Sequence, residues 1–373
     1  MLSADDSAWM AQALHLAERG LYTTSPNPRV GCVIIKAGKL LAEGWHERAG
    51  EPHAEVNALR AVGLEAKGAT AYVTLEPCSH HGRTPPCADA LIAAGVARVV
   101  VAMQDPNPQV AGQGIARLRA AGIAVDCGLM EAEASALNVG FIKRMRCGMP
   151  FVRSKIAMSL DGRTALSNGV SQWITGAEAR RDGHHNRARS CAVLTGIATV
   201  LADDAQLTVR EVATTRQPLR VVLDSELRMP VTARILQGGS VLVYTATPDA
   251  EKITALEKFG ADVVVFPASN GQVDLAACLK DLATRGCNEV LVEAGRTLNG
   301  ALLQAGLIDE LVVYLAPQLL GDMARGMAQL GELTQLDQRI ALSWQDVRQI
   351  GKDLRIIAKV KKDRLCLREL LPM

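Results

Sequence analysis

His53 and Glu55 stand two positions apart in AGEPHAEVNAL, and Cys78 and Cys87 bracket the stretch CSHHGRTPPC. One imidazole and two thiolates form a three-ligand set for zinc that leaves the fourth position to water, the pattern of a catalytic rather than a structural site. An ion held this way lowers the pKa of its water to about 7 and makes hydroxide available without strong base. Glu55 is then expected to be the proton shuttle rather than a ligand, carrying a proton from the water to a ring nitrogen and finally to a departing amine. The reaction this predicts is hydrolytic deamination. Taken singly, these residues would read as core and surface positions; together, with Pro77-Cys78 after an apolar run and Cys87 opening another, they favour a site. Eight residues, Ser79 to Pro86, separate the cysteines where two are usual. The longer loop carries Ser79, His80, His81 and Arg83, the last suited to holding a phosphate.

Local elements are expected to present these groups. HAEVNALRAVG, opening after Pro52, reads as a short helix, and CADALIAAG as another, preceded by Pro85-Pro86 and closed by Gly95. Ligands at helix N-termini gain from the positive end of the dipole, which favours thiolate. Cys78 is placed at the end of the strand ATAYVTLEP. Around them the sequence predicts a helix capped within Asp5-Asp6-Ser7 and ending near Gly20, and a hairpin of Val30 to Lys36 with Leu40 to Trp45. Strand ARVVVAM, the loop QDPNP, helix QGIARLRAAG, strand IAVDCG and one helix, MEAEASALNVGFIKRM, follow. This alternation suits a mixed sheet between helices. Basic residues and then Cys147-Gly148-Met149-Pro150 mark a join, giving domains 1–147 and 148–373.

The second domain alternates strands and helices and predicts an α/β unit with a mainly parallel sheet, a long strand ELVVYLAPQLL and a C-terminal hairpin. Its chemical cue is Glu293-Ala294-Gly295-Arg296-Thr297-Leu298-Asn299-Gly300-Ala301, where a strand ends in glycine and a helix begins. Backbone N–H groups there favour an anion such as a pyrophosphate. The spacing is not G-x-G-x-x-G, so a Rossmann assignment is excluded.

At 373 residues the chain can bury two cores, and a net charge of +2 offers no footprint for nucleic acid. That disfavours a nucleic-acid deaminase, one rival reading; a zinc-stabilised module without turnover is the other. No apolar run reaches a membrane-spanning length, and MLSADDSAWM lacks the basic-then-apolar order of a signal peptide. Nine cysteines without scaffold spacing imply a reducing compartment, so a cytoplasmic enzyme is expected.

The stretches TSPNPRVGCVI, AGEPHAEVNAL and PCSHHGRTPPC resemble the deaminase half of the bifunctional deaminase/reductases of riboflavin biosynthesis. KIAMSLDGRTA, SQWITG, LADDAQLTVR, VVLDS and VEAGRTLNGALL resemble the reductase half, so the likeness spans nearly the whole chain. It implies a cytidine-deaminase-like α/β/α domain followed by a dihydrofolate-reductase-like α/β domain, with one zinc per chain and NADPH as cofactors. It further implies deamination of a phosphoribosylaminopyrimidine and reduction of its ribosyl group to ribityl. By the same resemblance Asn27, His46, Arg83, Asp105 and Asn107 would contact the deaminase substrate. Ala157, Trp173, Thr199, Asp203, Ser225 and Gly295 to Ala301 would line the cofactor site, with Arg228 beside Ser225 for the extra phosphate. Ser171, Arg187, Leu207, Arg210 and Glu293 would meet the phosphoribosyl substrate, Arg187 and Arg210 as a guanidinium clamp. Lys155 and Glu293 are the candidates to polarise or protonate the sugar imine. A homodimer through the second domain is expected, with no nucleic-acid or membrane partner.

Overall fold

The computed structural model describes residues 2–79 and 86–361 and divides into two compact units, one ending at Gly148 and the next beginning at Met149. Each is built on its own sheet.

In the first unit, α1 (Ala4–Glu18) leads into β1 (Gly31–Lys36), β2 (Lys39–Trp45), α2 (Ala54–Val62), β3 (Thr70–Val73) and α3 (Cys87–Ala93). Then follow β4 (Arg98–Val101), α4 (Gln113–Ala120), β5 (Ala124–Cys127), α5 (Glu131–Leu137) and α6 (Val139–Cys147). The sheet order is β2-β1-β3-β4-β5, antiparallel about β1 and parallel from β3 to β5. Buried on both faces, β1 reads as the unbroken apolar run such a central strand needs. Its hairpin with β2 turns through Ala37 and Gly38, both at positive φ (50° and 73°), as a two-residue turn matched to strand twist requires.

Three expectations are corrected here. The cap of α1 is Ser3: its hydroxyl accepts from the Asp6 amide at 3.1 Å and its own amide donates to Asp6 Oδ2 at 2.7 Å. Asp6 turns inward instead, accepting from Tyr72 Oη and Arg98 Nη1, each at 2.7 Å. The helix expected over 130–145 is two, because the buried Asn138 side chain pairs with the backbone of Arg29. Asn138 Oδ1 accepts from the Arg29 amide at 2.8 Å and Nδ2 donates to its carbonyl at 2.9 Å, fixing a break. Cys78 lies five residues beyond the end of β3, in the loop that follows rather than at a strand end.

The second unit contains β6 (Phe151–Ser159), β7 (Arg163–Ala165), α7 (Ala177–Arg189), β8 (Ala192–Gly196), α8 (Ile197–Asp203), β9 (Leu219–Leu223) and β10 (Val241–Thr245). It continues with α9 (Ala250–Lys258), β11 (Ala261–Val265), α10 (Leu275–Thr284), β12 (Glu289–Val292), α11 (Arg296–Gln304), β13 (Glu310–Ala316), β14 (Arg325–Gly326), β15 (Leu342–Ile350) and β16 (Asp353–Val360). Nine strands run in the order β11-β10-β9-β8-β12-β6-β13-β16-β15. Pairing is parallel from β11 through β13 and antiparallel in the closing hairpin. The strand expected over ELVVYLAPQLL stops at Ala316, where Pro317 cannot donate to a ladder.

No helix among the described residues is long and apolar enough to cross a membrane. Seven of the described cysteines are free thiols and Cys147 is disulfide-bonded, which departs from the all-thiol expectation.

Candidate functional site

In the first unit, α2 and α3 present their N-terminal ends with His53 as the N-cap of one and Cys87 as the first residue of the other. His53 Nδ1 lies 3.3 Å from Cys87 Sγ and 3.7 Å from Cys78 Sγ. Tetrahedral zinc with Zn–N near 2.0 Å and Zn–S near 2.3 Å sets such separations at about 3.5 Å, so the donor set fits the ion without rearrangement. Among the described residues this is the one group of three or more His, Cys, Asp or Glu donors close enough to hold a metal. The Cys87 amide donates to Cys78 Sγ at 3.3 Å, and the Ala88 amide to the Cys78 carbonyl at 3.2 Å, locking the two thiols together. A hydrogen bond from the Cys87 thiol holds Cys78 below the ordinary thiol range, and the same bond pushes Cys87 up.

Glu55 is buried in the first turn of α2, and its Oε2 has no hydrogen-bond partner. Burial pushes its carboxyl up to about 7, against the pull of His53. A buried carboxyl with one free oxygen beside a metal triad is what a proton shuttle requires.

His46 and Asn27 come together as well: Nε2 and Asn27 Nδ2 are 3.1 Å apart, and Nδ1 sits 3.1 Å from the Pro52 carbonyl. Because a carbonyl only accepts, Nδ1 carries the proton and Nε2 accepts from the amide. Burial lowers the His46 pKa, keeping the ring neutral, and its edge meets the His53 ring at 5.2 Å between centroids. Asp105 and Asn107 spend one side-chain oxygen each on local turns, accepting from the Asn107 and Gln109 amides at 2.8 and 3.1 Å. Arg83, with His80 and His81, lies outside the described residues.

Sequence reasoning gave no role to Glu76. Its buried carboxylate accepts four backbone amides, from Asp105 (3.0 Å), Gly112 (2.9 Å), Gly114 (2.8 Å) and Ile115 (3.1 Å). The available signal was an acid directly ahead of Pro77-Cys78.

The second unit opens a cleft of about 2080 Å³ at the carboxyl ends of β8, β9 and β12, where ligands of parallel sheets bind. Lys155, Ala157, Ser171, Trp173, Arg187 and Thr199 line it, as do Asp203, Leu207, Arg210, Ser225 and Glu293. Of the glycine loop, Gly295 to Leu298 and Ala301 reach the wall, but Asn299 and Gly300 do not. Asn299 is buried, accepting from Ser154 Oγ at 2.9 Å and donating to the Ala294 carbonyl at 3.0 Å. A Cβ at Gly300 would stand 2.1 Å from the Gln329 carbonyl, so this glycine serves a close helix contact. The cleft exceeds the roughly 300–1,000 Å³ of single-ligand pockets. Gly295 caps α11 without a side-chain bond, leaving first-turn amides for a dinucleotide pyrophosphate; these features fit NADPH.

Trp173 is 69% exposed with Arg180 over its ring, so a core role is excluded. Ser225 is engaged with Gln272 Oε1 and the Val273 amide, each at 3.2 Å. The Arg187 clamp is altered: Nε and Nη2 grip Glu293 at 2.5 and 2.8 Å and Nη1 donates to the Thr208 carbonyl at 3.0 Å. Three of its five donors are spent, and two remain. Although burial raises the carboxyl of Glu293, the Arg187 guanidinium more than offsets this and holds it at about 2. Held ionised by Arg187, Glu293 is suited to polarise the imine rather than to protonate it. Lys155 Nζ lies 5.6 Å from the Tyr314 ring centroid, and burial lowers its pKa. Arg210 Nη1 donates to Thr208 Oγ1 at 3.1 Å. Its amide donates to His184 Nδ1 at 3.3 Å, a ring that burial depresses to about 4 and keeps neutral.

Residues 3–103 match the cytidine and deoxycytidylate deaminase zinc-binding region, and residues 150–356 the RibD C-terminal domain. The Escherichia coli riboflavin biosynthesis protein RibD is 52% identical over 94% of this chain and 98% of its own length. The Haemophilus influenzae RibD is 47% identical over 95% and 97%. The solved Acinetobacter baumannii RibD superposes with a TM-score of 0.90 at 48% identity, covering 96% of this chain and 99% of that one. A Thermotoga maritima diaminohydroxyphosphoribosylaminopyrimidine deaminase/5-amino-6-(5-phosphoribosylamino)uracil reductase superposes at 0.86 with 32% identity, covering 96% and 99%.

Proposed function

The chain belongs to the RibD family of bifunctional riboflavin-biosynthesis deaminase/reductases, and from that premise we propose which of its side chains perform each step. It is a zinc-dependent hydrolase and an NADPH-dependent oxidoreductase. It converts 2,5-diamino-6-(5-phosphoribosylamino)pyrimidin-4-one to 5-amino-6-(5-phosphoribosylamino)uracil and then reduces the ribosyl group to ribityl. We assign deamination to the unit ending at Gly148 and reduction to the unit beginning at Met149.

His53 Nδ1, Cys78 Sγ and Cys87 Sγ would hold the zinc, which when bound supplies a water acidified to near neutrality. Glu55 takes a proton from the attacking water on its free Oε2 and delivers it to the ring nitrogen beside C2; it then takes the proton of the hydroxyl added at C2 and passes it to the amine, which leaves as ammonia as its bond to C2 breaks. A carboxyl raised to about 7 both accepts and donates near neutral pH. Asn27 and the neutral His46 orient the pyrimidine. In the reductase, NADPH when bound supplies the hydride to C1 of the ribose. Lys155 gives its Nζ proton to the sugar imine nitrogen, while ionised Glu293 holds Arg187 in place. Arg210 and the two spare donors of Arg187 take the phosphate. A cytoplasmic site of action accords with NADPH use.

The observation that carries the reading is the convergence of three metal donors on a buried acid with one oxygen unclaimed. Glu55→Gln is expected to keep about one zinc per chain, lose ammonia release by about 10²–10⁴-fold and leave reduction of the deaminated intermediate intact. Equal loss of both activities overturns the division of labour.

We place pairing of two copies on the C-terminal hairpin. Trp344, Val347 and Leu354, 67%, 57% and 40% exposed, share one face of β15 and β16. A monomer by light scattering at micromolar concentration removes this.

A further inference from the structure

Glu76 stands two residues ahead of Cys78, buried, and takes no part in the steps above. Helix α4 begins at Gln113 behind Gly112, an N-cap with no side chain to satisfy the first amides. Glu76 Oε1 accepts the Gly114 and Ile115 amides at 2.8 and 3.1 Å, so a carboxylate 38 residues upstream does the capping. Its Oε2 accepts the Asp105 and Gly112 amides at 3.0 and 2.9 Å, closing the loop that carries Asp105 and Asn107. A negative charge at a helix N-terminus is also favoured by the dipole. Packing tightens the same joint: a Cβ at Gly114 would stand 2.0 Å from the Pro77 carbonyl, so α4 rests directly on the backbone leading into Cys78. The Glu76 amide in turn donates to the Met103 carbonyl at 2.9 Å.

We propose that Glu76 is a positioning residue of the deaminase, fixing the Cys78 thiol and the Asp105–Asn107 loop to one another through its four amide bonds. The carboxylate has four acceptor sites and meets four donors; a neutral amide in its place presents N–H to N–H at two of them. Outer-shell partners of metal ligands are worth about 10–100-fold in metal affinity, which sets the expected size of the effect. The proposal rests on His53, Cys78 and Cys87 being the zinc ligands.

The test is Glu76→Gln in the full-length chain, read by zinc competition against a chelator, by amide exchange at Gly112, Gly114 and Ile115, and by deaminase kinetics in zinc-saturating buffer. The calorimetric transition of the first unit serves as the folding control, and reduction of the deaminated intermediate shows that the second unit is undisturbed. Expected are about 10–100-fold weaker zinc binding, faster exchange at the three amides, and a raised deaminase KM with reduction unchanged. Faster exchange with wild-type zinc affinity and KM makes Glu76 a helix cap only and overturns the proposal. Should Glu76→Gln fail to fold, Glu76→Asp, one methylene short of spanning both pairs of amides, is judged by the same readouts. Cys87→Ser separates the two levels of inference. If it retains zinc, the ligand assignment fails; if it loses zinc while Glu76→Gln binds normally, only the positioning role does.

Discussion

A bidentate ion pair at the wall of the reductase cleft makes a pH-dependent contribution whose sign is fixed. Arg187 and Glu293 are largely buried, with side chains 16% and 14% exposed. Burial works against the ionised carboxyl, but the guanidinium brings its pKa from 4.5 to about 2. Because the folded value lies below the unfolded one, the stabilisation is complete above about pH 4.5 and is lost as pH falls towards 2. Glu293→Gln, which strands a buried guanidinium, is expected to cost the second unit about 3 kcal/mol at pH 7 and to flatten acid unfolding over that window, as urea titrations at several pH values would show. Lys155→Met is expected to depress kcat of reduction by about 10²–10⁴-fold while cofactor binding, followed by fluorescence, persists. At this scale His53, Glu55, Cys78 and Cys87 were legible because metal chemistry demands residue types that few other roles combine. The pairing of Arg187 with Glu293, 106 residues apart, was not, because either side chain alone reads equally well as a substrate contact.

Between elements, the closest approaches to backbone are made by glycines outside the positive-φ region, chosen for space rather than for backbone freedom. A Cβ at Gly44 on β2 would stand 2.4 Å from the Ala54 carbonyl and 2.5 Å from the Ala58 amide, so α2 lies directly on the strand. Since α2 carries Glu55 and His53 caps it, Gly44→Ala should lift both groups. We expect a loss of about 1–3 kcal/mol in the first unit, with lower zinc content by metal analysis and unaltered reduction. Gly300→Ala, whose Cβ would meet the Gln329 carbonyl, should do the reverse and spare deamination. Order and type of the main elements were readable from period and punctuation, since β-branched runs and Gly or Pro boundaries are local properties. What was not local was missed: Asp6 turns to Arg98, 92 residues away, and Asn138 divides a helix by bonding to Arg29, 109 residues away; the Ser3 cap of α1, a local feature, was overlooked in favour of the acidic pair that follows it.

On the scale of the whole molecule, the apolar clusters of the first unit share no member with those of the second. Calorimetry should therefore resolve two transitions. A chelator is expected to lower only the one belonging to the zinc unit, and NADPH at a hundred times its Kd to raise only the other, by about 2.7 kcal/mol of stability. A single cooperative transition moved by both ligands would contradict independent cores. The parallel sheet carries one more consequence, for synthesis. β6, the first strand of its unit to leave the ribosome, is flanked by β12 and β13, so its neighbours are among the last translated. Arg153 waits for Glu310, 157 residues later, which at 5–20 residues per second is roughly 8–30 s. Over that interval β6 is an unpaired strand whose Phe151, Val152 and Ile156 need shelter, while the metal-binding half already has every strand of its sheet and is free to mature.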